Sequence, residues 1–381
     1  MGISVEWFGE ISADLGVSRP ALYNYVVDRD DLAFKCYSRT CDHLESSLRI
    51  ATTSGGDPAD VIERFLIEAA RSDTPEAAVL SEIDALSPDK QVVIRGRRDA
   101  VVAALATTIR RGVKQHQFRS VDAVIAANAI IGMISWPALY RRWAANSDLV
   151  LTAAGMKEIL FSGLAADRRI VLNEAIDLMP PSRPKVDLFD RRALDGARRE
   201  AIILSASDLF NRRGIGATRV EDVGAAVGLS KRAIFHHIGA KDALVDACVE
   251  RSIDFHLGVM AASEGLQATR LEAYAAGVKT GVEVAGDPER SVLVPYVGFG
   301  LLSPGSQQAM HAFSQRLTEG YRKMLDDGMR EGSIRALPRE EVLASLPGLF
   351  SWVSTSAFGT SGNRSKVARE LAGLIAKGML I

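Results

Sequence analysis

Ser230-Lys231-Arg232 sets a hydroxyl, an ammonium and a guanidinium in succession, and Phe235, His236 and His237 follow within two helical turns. A serine there suits the N-cap of a short helix. The two cations beside free backbone N–H groups suit a phosphate or a base edge. That chemistry is recognition of a polyanion and not catalysis. The pair His236-His237 does not read as a metal site, because adjacent helical residues point in different directions and no third ligand stands near in sequence. Gly298-Phe299-Gly300 begins like a dinucleotide loop but runs on to Ser303 where a glycine is needed, and Pro295 interrupts the run before it. No P-loop, GxSxG or HExxH occurs. We therefore expect no catalytic residue, no metal and no cofactor, and do not expect an enzyme.

The elements that would position these residues can be read locally. Thr218-Arg219-Val220-Glu221 has the form of a capping box, with Thr218 at the helix start and Glu221 reaching back. Val220, Val223 and Val227 share one face of the short helix that follows. Gly228 breaks it, and Ser230 caps a second helix from Lys231 to about His237, with Lys241 one turn further on. Helix, glycine turn and capped helix form the helix-turn-helix layout.

The same pattern occurs twice. Leu15-Gly16-Val17-Ser18-Arg19-Pro20-Ala21-Leu22-Tyr23-Asn24-Tyr25 recurs as Val227-Gly228-Leu229-Ser230-Lys231-Arg232-Ala233-Ile234-Phe235-His236-His237, a shift of 212 residues from Ser18 to Ser230. Further on, Leu86-Ser87-Pro88 recurs as Leu302-Ser303-Pro304, and Gly132 with Ser135-Trp136 recurs as Gly348 with Ser351-Trp352, each at a shift of 216. Three matches in one order at nearly constant offset describe a duplicated unit of domain length.

In the second copy, Thr218, Val223, Gly228, Leu229, Ser230, Phe235, Ile238, Lys241 and Leu244 resemble the signature of the TetR family of bacterial transcriptional regulators, and Ala201 to Gly214 resembles that family's first helix. Phe235 stands where the family has a tyrosine, so a phosphate-contacting hydroxyl is lost, and Ile238 replaces a phenylalanine. The resemblance implies DNA contacts from Thr218, Ser230, Lys231, Arg232, Ala233, Phe235, His236, His237 and Lys241. In the first copy it implies contacts from Ser18, Arg19, Pro20, Tyr23, Asn24, Tyr25 and Arg29. That copy departs from the pattern. Gly2-Ile3 aligns with Gly214-Ile215, so the first head lacks its first helix; Glu6 stands at the threonine's place; and eight acidic residues face four basic ones between Met1 and Glu45. The expected explanation is a start upstream of Met1, with a degenerate relic as the alternative.

The resulting fold expectation is all-α: two tandem TetR-like units, each a head followed by a helical ligand-binding and dimerisation domain. Helical periodicity such as Val61, Ile62, Phe65, Leu66 and Ala69 supports this. The expected spans are a truncated head at 1–45, a helical domain at 46–179, a proline-marked linker at 180–190, a second head at 191–250 and a second helical domain at 251–381. The apolar stretches Val121–Leu139 and Val342–Val353 read as helices buried on several sides. By resemblance their Trp136 and Trp352 belong to the dimerisation interface, here between the two halves of one chain, with a ligand-pocket wall as the second reading. Tyr274, Tyr296, His311 and the residues near Ser87-Pro88 and Ser303-Pro304 are candidate lining for a small-molecule effector. The cluster Arg95, Arg97, Arg98, Arg110, Arg111 and Lys114 reads as a solvated helix face.

Bulk properties bound the function. A net charge of −1 excludes binding to nucleic acid by bulk electrostatics, so contact must come from local patches. Cys36, Cys41 and Cys248 form no metal or disulfide framework, which suits a reduced cytoplasmic setting, and Cys36 and Cys248 read as equivalent small core positions. No apolar run stands out as the roughly 18 residues a membrane span needs, and no membrane partner is expected. The function expected is a ligand-responsive repressor on a double-stranded operator, with unlike half-sites if both heads bind. Pairing of whole chains as a homodimer is left open. The alternative is a helical small-molecule-binding or interaction protein whose heads have lost DNA affinity.

Overall fold

The structure is a computed structural model that describes residues 12–13, 16, 18–71, 78–80, 83–143, 152–179, 190–285, 287, 289–295, 297–353 and 363–381. All of the expected linker but Asp190 lies outside the described residues, as do Gly2, Ile3, Glu6 and Tyr296. The first half contains α1 (Arg19–Leu22), α2 (Arg29–Thr53), α3 (Pro58–Ala69), α4 (Pro88–Lys114), α5 (Ala123–Trp143) and α6 (Ala153–Ser162). The second contains α7 (Arg191–Arg213), α8 (Val220–Val227), α9 (Lys231–His237), α10 (Lys241–Glu264), α11 (Arg270–Val284), α12 (Pro304–Glu331), α13 (Arg339–Ser345) and α14 (Arg364–Lys377). Among the described residues extended pairing is limited to two isolated bridges. The chain is all-α, as its periodicity predicts.

The duplication governs local structure as well as sequence. Asp57 and Thr269, repeat partners, both open their helices with capping boxes. Ser87 and Ser303 both precede a helix that starts with proline, where the missing N–H costs nothing. Each serine also holds a carboxylate of the preceding long helix: Ser87 donates to Asp30 and Ser303 to Asp246, both at 2.8 Å. Thr40 donates to Ala78 O and its partner Ser252 to Leu293 O, so both long helices keep the same register on their loops.

Three expectations need correction. The stretch Val342–Val353 is not one helix: Pro347 cannot donate to the ladder, α13 ends at Ser345, and Leu346–Leu349 forms a 3₁₀ turn. Its counterpart α5 continues through Pro137. Ala123–Arg141 is long and apolar enough to cross a membrane, contrary to the sequence reading, but 72% of it is buried inside the protein, as befits a core helix. Finally, Cys248 is fully buried whereas its partner Cys36 is half-exposed, so the two are not equivalent core positions.

The two halves pack against each other through contacts that come in reciprocal pairs. Leu164 N–H donates to Ile375 O at 2.9 Å, and Met379 N–H donates to Leu160 O at 2.8 Å. Ala165 donates to Ala376 at 2.8 Å and Leu380 to Phe161 at 3.0 Å. Arg119 N–H bonds Met379 O and Arg335 N–H bonds Leu164 O, both at 2.9 Å, while their Nε atoms reach Gly378 O and Gly163 O. Residue and partner exchange roles at a shift of 215 or 216 in every pair, which is the pattern of an isologous contact. The same relation brings Gly132 against Gly348. A Cβ on Gly132 would stand 2.5 Å from Gly348 O, and one on Gly348 would stand 2.8 Å from Met133 Cα. Trp136, fully buried, donates across this contact from Nε1 to Ala344 O at 2.8 Å, whereas Trp352 donates within its own half to Leu349 O. Side chains vary over the common backbone plan. At one end Lys366 of α14 pairs with Asp122, and at the other Thr152 donates to Glu341 of α13.

A methyl group at Gly132 must push two backbones apart. Gly132→Ala is expected to lower stability by about 1–3 kcal/mol. Gly258→Ala, in α10 with open space around it, is expected to raise stability by about 0.5–1 kcal/mol by improving helix propensity. Thermal melts of the two variants beside the parent chain check the contrast in sign.

Candidate functional site

The second head is a complete three-helix unit. Ile202, Ile203, Ala206, Leu209 and Phe210 of α7 are buried against Val220 and Val223 of α8 and Ile234 of α9. Gly228 turns the chain in the left-handed region (φ +70°), where an L side chain is strained. Leu229 N–H then bonds Gly224 O at 2.9 Å, and a Cβ on Gly224 would lie 2.6 Å from Leu229 O. The turn closes this tightly because positions 224 and 228 are both glycine. Ser230 accepts from Ala233 N–H at 3.2 Å and caps α9 as its sequence predicts. With Ile234 inward, Ser230, Lys231, Arg232, Phe235 and His236 are exposed, and Ala233 and His237 are half-buried.

Two residues assigned to DNA contact lie elsewhere. Thr218 is fully buried, and its hydroxyl donates to Gly214 O at 2.9 Å, tying off the end of α7. It neither caps α8 nor reaches a ligand. The cap falls one residue later, where Asp222 accepts from Arg219 N–H at 2.9 Å. Glu221 is thereby free of the capping role and pairs with Lys231 at 2.6 Å. Lys241 is half-buried and donates to Ile215 O at 2.6 Å, a bond that braces the head internally. Burial lowers its pKa, against the opposing pull of Asp242. Arg232 has no ion-pair partner among the described residues, whereas the Lys231 ammonium lies 5.8 Å from the Phe235 ring centroid as well as on Glu221.

The first head is a weaker copy. Ser18 caps α1 by accepting from Ala21 N–H at 3.4 Å, but α1 is one turn long, against seven residues in α9. Pro20, Tyr23, Asn24 and Tyr25 are exposed and Arg29 half-buried, while the Arg19 side chain lies outside the described residues. Lys35 donates to Tyr25 O and pairs with Asp31, which fastens this segment to α2.

Arg110, Arg111 and Lys114 of α4 are exposed as expected, but Arg95, Arg97 and Arg98 are not a solvated face. Arg97 forks onto Asp42 and Glu45 of α2 at 2.6 and 2.7 Å, Arg95 pairs with Asp84, and Arg98 donates to Asn128 of α5. These residues fasten the helical body together.

A cavity of about 150 Å³ lies in the second half between α10, α11 and α12, with Trp136 and Tyr140 of α5 contributing to its wall. Of the candidate lining residues, Tyr274 borders it. His311 packs instead on Phe299 at 4.9 Å, and Ser87 and Ser303 serve the helix starts described above. The sequence reading missed His256, Tyr321, Gly277 and Gly281. Comparison of the copies carried the signal, since Phe65 and Ala69 stand where Gly277 and Gly281 do. His256 Nδ1 lies 2.8 Å from Ser252 O, which can only accept, so Nδ1 carries the proton. Burial lowers the pKa of this imidazole and keeps it neutral, and burial pushes Tyr321 up to about 12.

Heads of this geometry on helical bodies define a helix-turn-helix protein. Residues 202–248 match the model of the bacterial regulatory proteins of the tetR family, and residues 59–142 match that of the tetracyclin repressor-like C-terminal domain. Each half of the chain thus matches a TetR-type domain model. The HTH-type transcriptional repressor Rv3405c of Mycobacterium tuberculosis and the HTH-type transcriptional regulator Mb3439c of Mycobacterium bovis are each 39% identical to it over 72 residues, 18% of this chain and 36% of theirs. The chain therefore spans about a third of the length of the curated relatives it matches. Among solved structures it is similar to the TetR family transcriptional regulator PfmR of Thermus thermophilus (22% identity, TM-score 0.40, 46% of this chain and 97% of that one). It is also similar to a TetR-family regulator of Bordetella parapertussis (20%, TM-score 0.39, 48% and 95%).

The buried imidazole links stability to pH. Folded, His256 binds its proton less readily than the solvated side chain of the unfolded chain, whose ordinary value is 6.5. As pH falls through that value the unfolded state takes up the proton first, so stability contributed above 6.5 is lost progressively below it. Melting temperatures between pH 7.5 and 5 should fall less steeply for His256→Asn than for the parent; parallel curves would count against a buried neutral His256.

Proposed function

We propose that the protein is a DNA-binding transcriptional regulator of the repressor kind, cytoplasmic, in which the two halves of one chain stand in for the two subunits of a dimer and a small molecule bound in the second half modulates the heads. The observation that carries this reading is the exposed face Ser230, Lys231, Arg232, Phe235 and His236, held outward on a complete helix-turn-helix by the buried Ile234. Such a face suits a major groove, with the cations on phosphates or guanine edges. The TetR-family match over this head and the name of the Mycobacterium tuberculosis relative support the reading. The reciprocal backbone bonds between the halves support the intrachain pairing, and the cavity supports an effector.

If both heads bind, unlike residues read the two half-sites: Pro20, Asn24 and Tyr25 in one, Arg232, His236 and His237 in the other. The operator is then asymmetric, with half-site centres about 34 Å apart. Selection of genomic fragments by the full chain at physiological salt, followed by footprinting, tests this. Two unlike protected halves support it, two identical halves assign binding to the second head of paired chains, and no enrichment leaves a helical ligand-binding protein.

On the selected site, Lys231→Ala with Arg232→Ala should reduce the slope of log affinity against log salt by about two, one for each phosphate no longer neutralised. Glu221→Gln frees Lys231 and removes a negative charge beside the interface, so binding should tighten several-fold at low salt. Weaker binding in that variant would show that the Lys231–Glu221 pair aids docking.

A further inference from the structure

The cavity in the second half is hollow for an identifiable reason. Gly277 and Gly281 lie one turn apart on α11; a Cβ on Gly281 would meet nothing within 4 Å, whereas one on Gly277 would press on Ser263 Oγ at 3.1 Å. In the first half their partners are Phe65 and Ala69, both buried in apolar core. Of the polar residues on the cavity wall, which include Thr318 and Tyr140, His256, Tyr274 and Tyr321 correspond to Leu44, Ile62 and Leu105, each buried at 2% exposure or less. At matching positions one half packs buried apolar side chains and the other borders a chamber.

The chamber's chemistry is narrow. No carboxylate, lysine or arginine lines it among the described residues. An ionised ligand would therefore lose its hydration without gaining a counter-charge. The hydroxyls of Tyr274 and Tyr321 and the Nε2 of His256 have no hydrogen-bond partner among the described residues. The sealed side-chain atoms without partners lie elsewhere, at Gln117, Arg119 and Ser207, so these three polar groups border open space. His256 Nε2, on a neutral ring protonated at Nδ1, can only accept. The two hydroxyls can donate or accept. A ligand group that both donates and accepts, a hydroxyl, fits this set. A cavity of about 150 Å³ has room for roughly one six-membered ring, the size at which an apolar protein cavity takes up benzene. Trp136 and Tyr140 add aromatic surface from the first half.

We propose that this chamber is the protein's effector site and takes one uncharged, single-ring phenol per chain, its hydroxyl donating to His256 Nε2 and its ring held between the two halves against Trp136 and Tyr140. The proposal rests on the reading of the protein as effector-responsive for its biological meaning, but not for its test, which needs no DNA. Because the wall includes α5 of the first half and α10 of the second, an occupant bears on the contact that sets one head relative to the other.

Titration calorimetry of the full chain with 4-methylphenol, toluene and benzoate tests it, with tryptophan fluorescence as a second readout. The expected result is saturable binding of 4-methylphenol at one per chain, with toluene and benzoate each at least tenfold weaker. Gly281→Leu places a side chain in the chamber and should abolish binding while keeping the helical circular dichroism and the melting transition. His256→Phe should weaken 4-methylphenol at least tenfold and bring it level with toluene. Absence of binding by the parent chain, two sites per chain, benzoate binding as tightly as the phenol, or undiminished binding in Gly281→Leu would overturn the proposal. A chain that binds one phenol with this selectivity but enriches no DNA upholds the site and removes the regulator reading, so the two failures are distinguishable.

Discussion

The architecture depends on how closely two stretches of backbone can approach. Gly132 meets Gly348 and Gly163 meets Gly378, each glycine facing its own repeat partner, and at the second pair both residues adopt positive φ, +65° and +64°. With no side chain between them, the segments after α6 and α14 exchange N–H···O=C bonds directly, and α5 lies against the turn after α13. Backbone bonds of this kind are indifferent to most side-chain changes, so the contact tolerates divergence around it. Lys366–Asp122 and Thr152–Glu341 show that tolerance, two chemistries at the two ends of the contact. Only the glycines and the small side chains beside them are held fixed by geometry.

That constraint explains why the copies could diverge elsewhere. In a homodimer a residue change occurs in both subunits. In a fused pair, Gly281 can open a chamber in one half while Ala69 fills the other, and α9 can keep two turns while α1 keeps one. The first half fills the matching positions with Leu44, Ile62, Phe65 and Leu105 and carries the Arg97 clamp between α4 and α2. The second half holds both the complete head and the chamber. On the proposed reading, recognition and sensing are concentrated in one half, and the other supplies the wall and the counterpart surface.

Much of this was legible in the sequence, because its signals are local or repeated. The constant offset between copies, the glycine turn at Gly228, the Ser230 cap and the helical periodicity all depend on residues a few positions apart. The failures came where a distant backbone group decided the outcome. Thr218 has a capping residue's chemistry, but Gly214 O takes its hydroxyl, and the cap moved to Asp222. Lys241 follows the recognition helix in sequence, yet the carbonyl of Ile215 lies within its reach. Arg97 of α4 sits in a solvated pattern along its own helix, and its partners on α2 stand some fifty residues away. The chamber left a trace only in the comparison of one copy with the other, where two glycines replace Phe65 and Ala69.

Fusion also changes the thermodynamics of pairing. When two subunits must associate, dilution separates them, and the affinity of the pair for anything both must touch includes the cost of bringing them together. Here the reciprocal contact closes within one chain, so its strength does not depend on protein concentration and part of the association entropy is already spent in the covalent link. A contact of that kind need not be strong enough to hold free subunits together. It can be weak enough for an occupant of the chamber to bias, since Trp136 donates across the contact to Ala344 O and also lines the chamber. On the proposed reading, a ligand that moves Trp136 would act on the bond joining the halves with no dissociation step between, and the spacing of the two heads would answer to a single binding event.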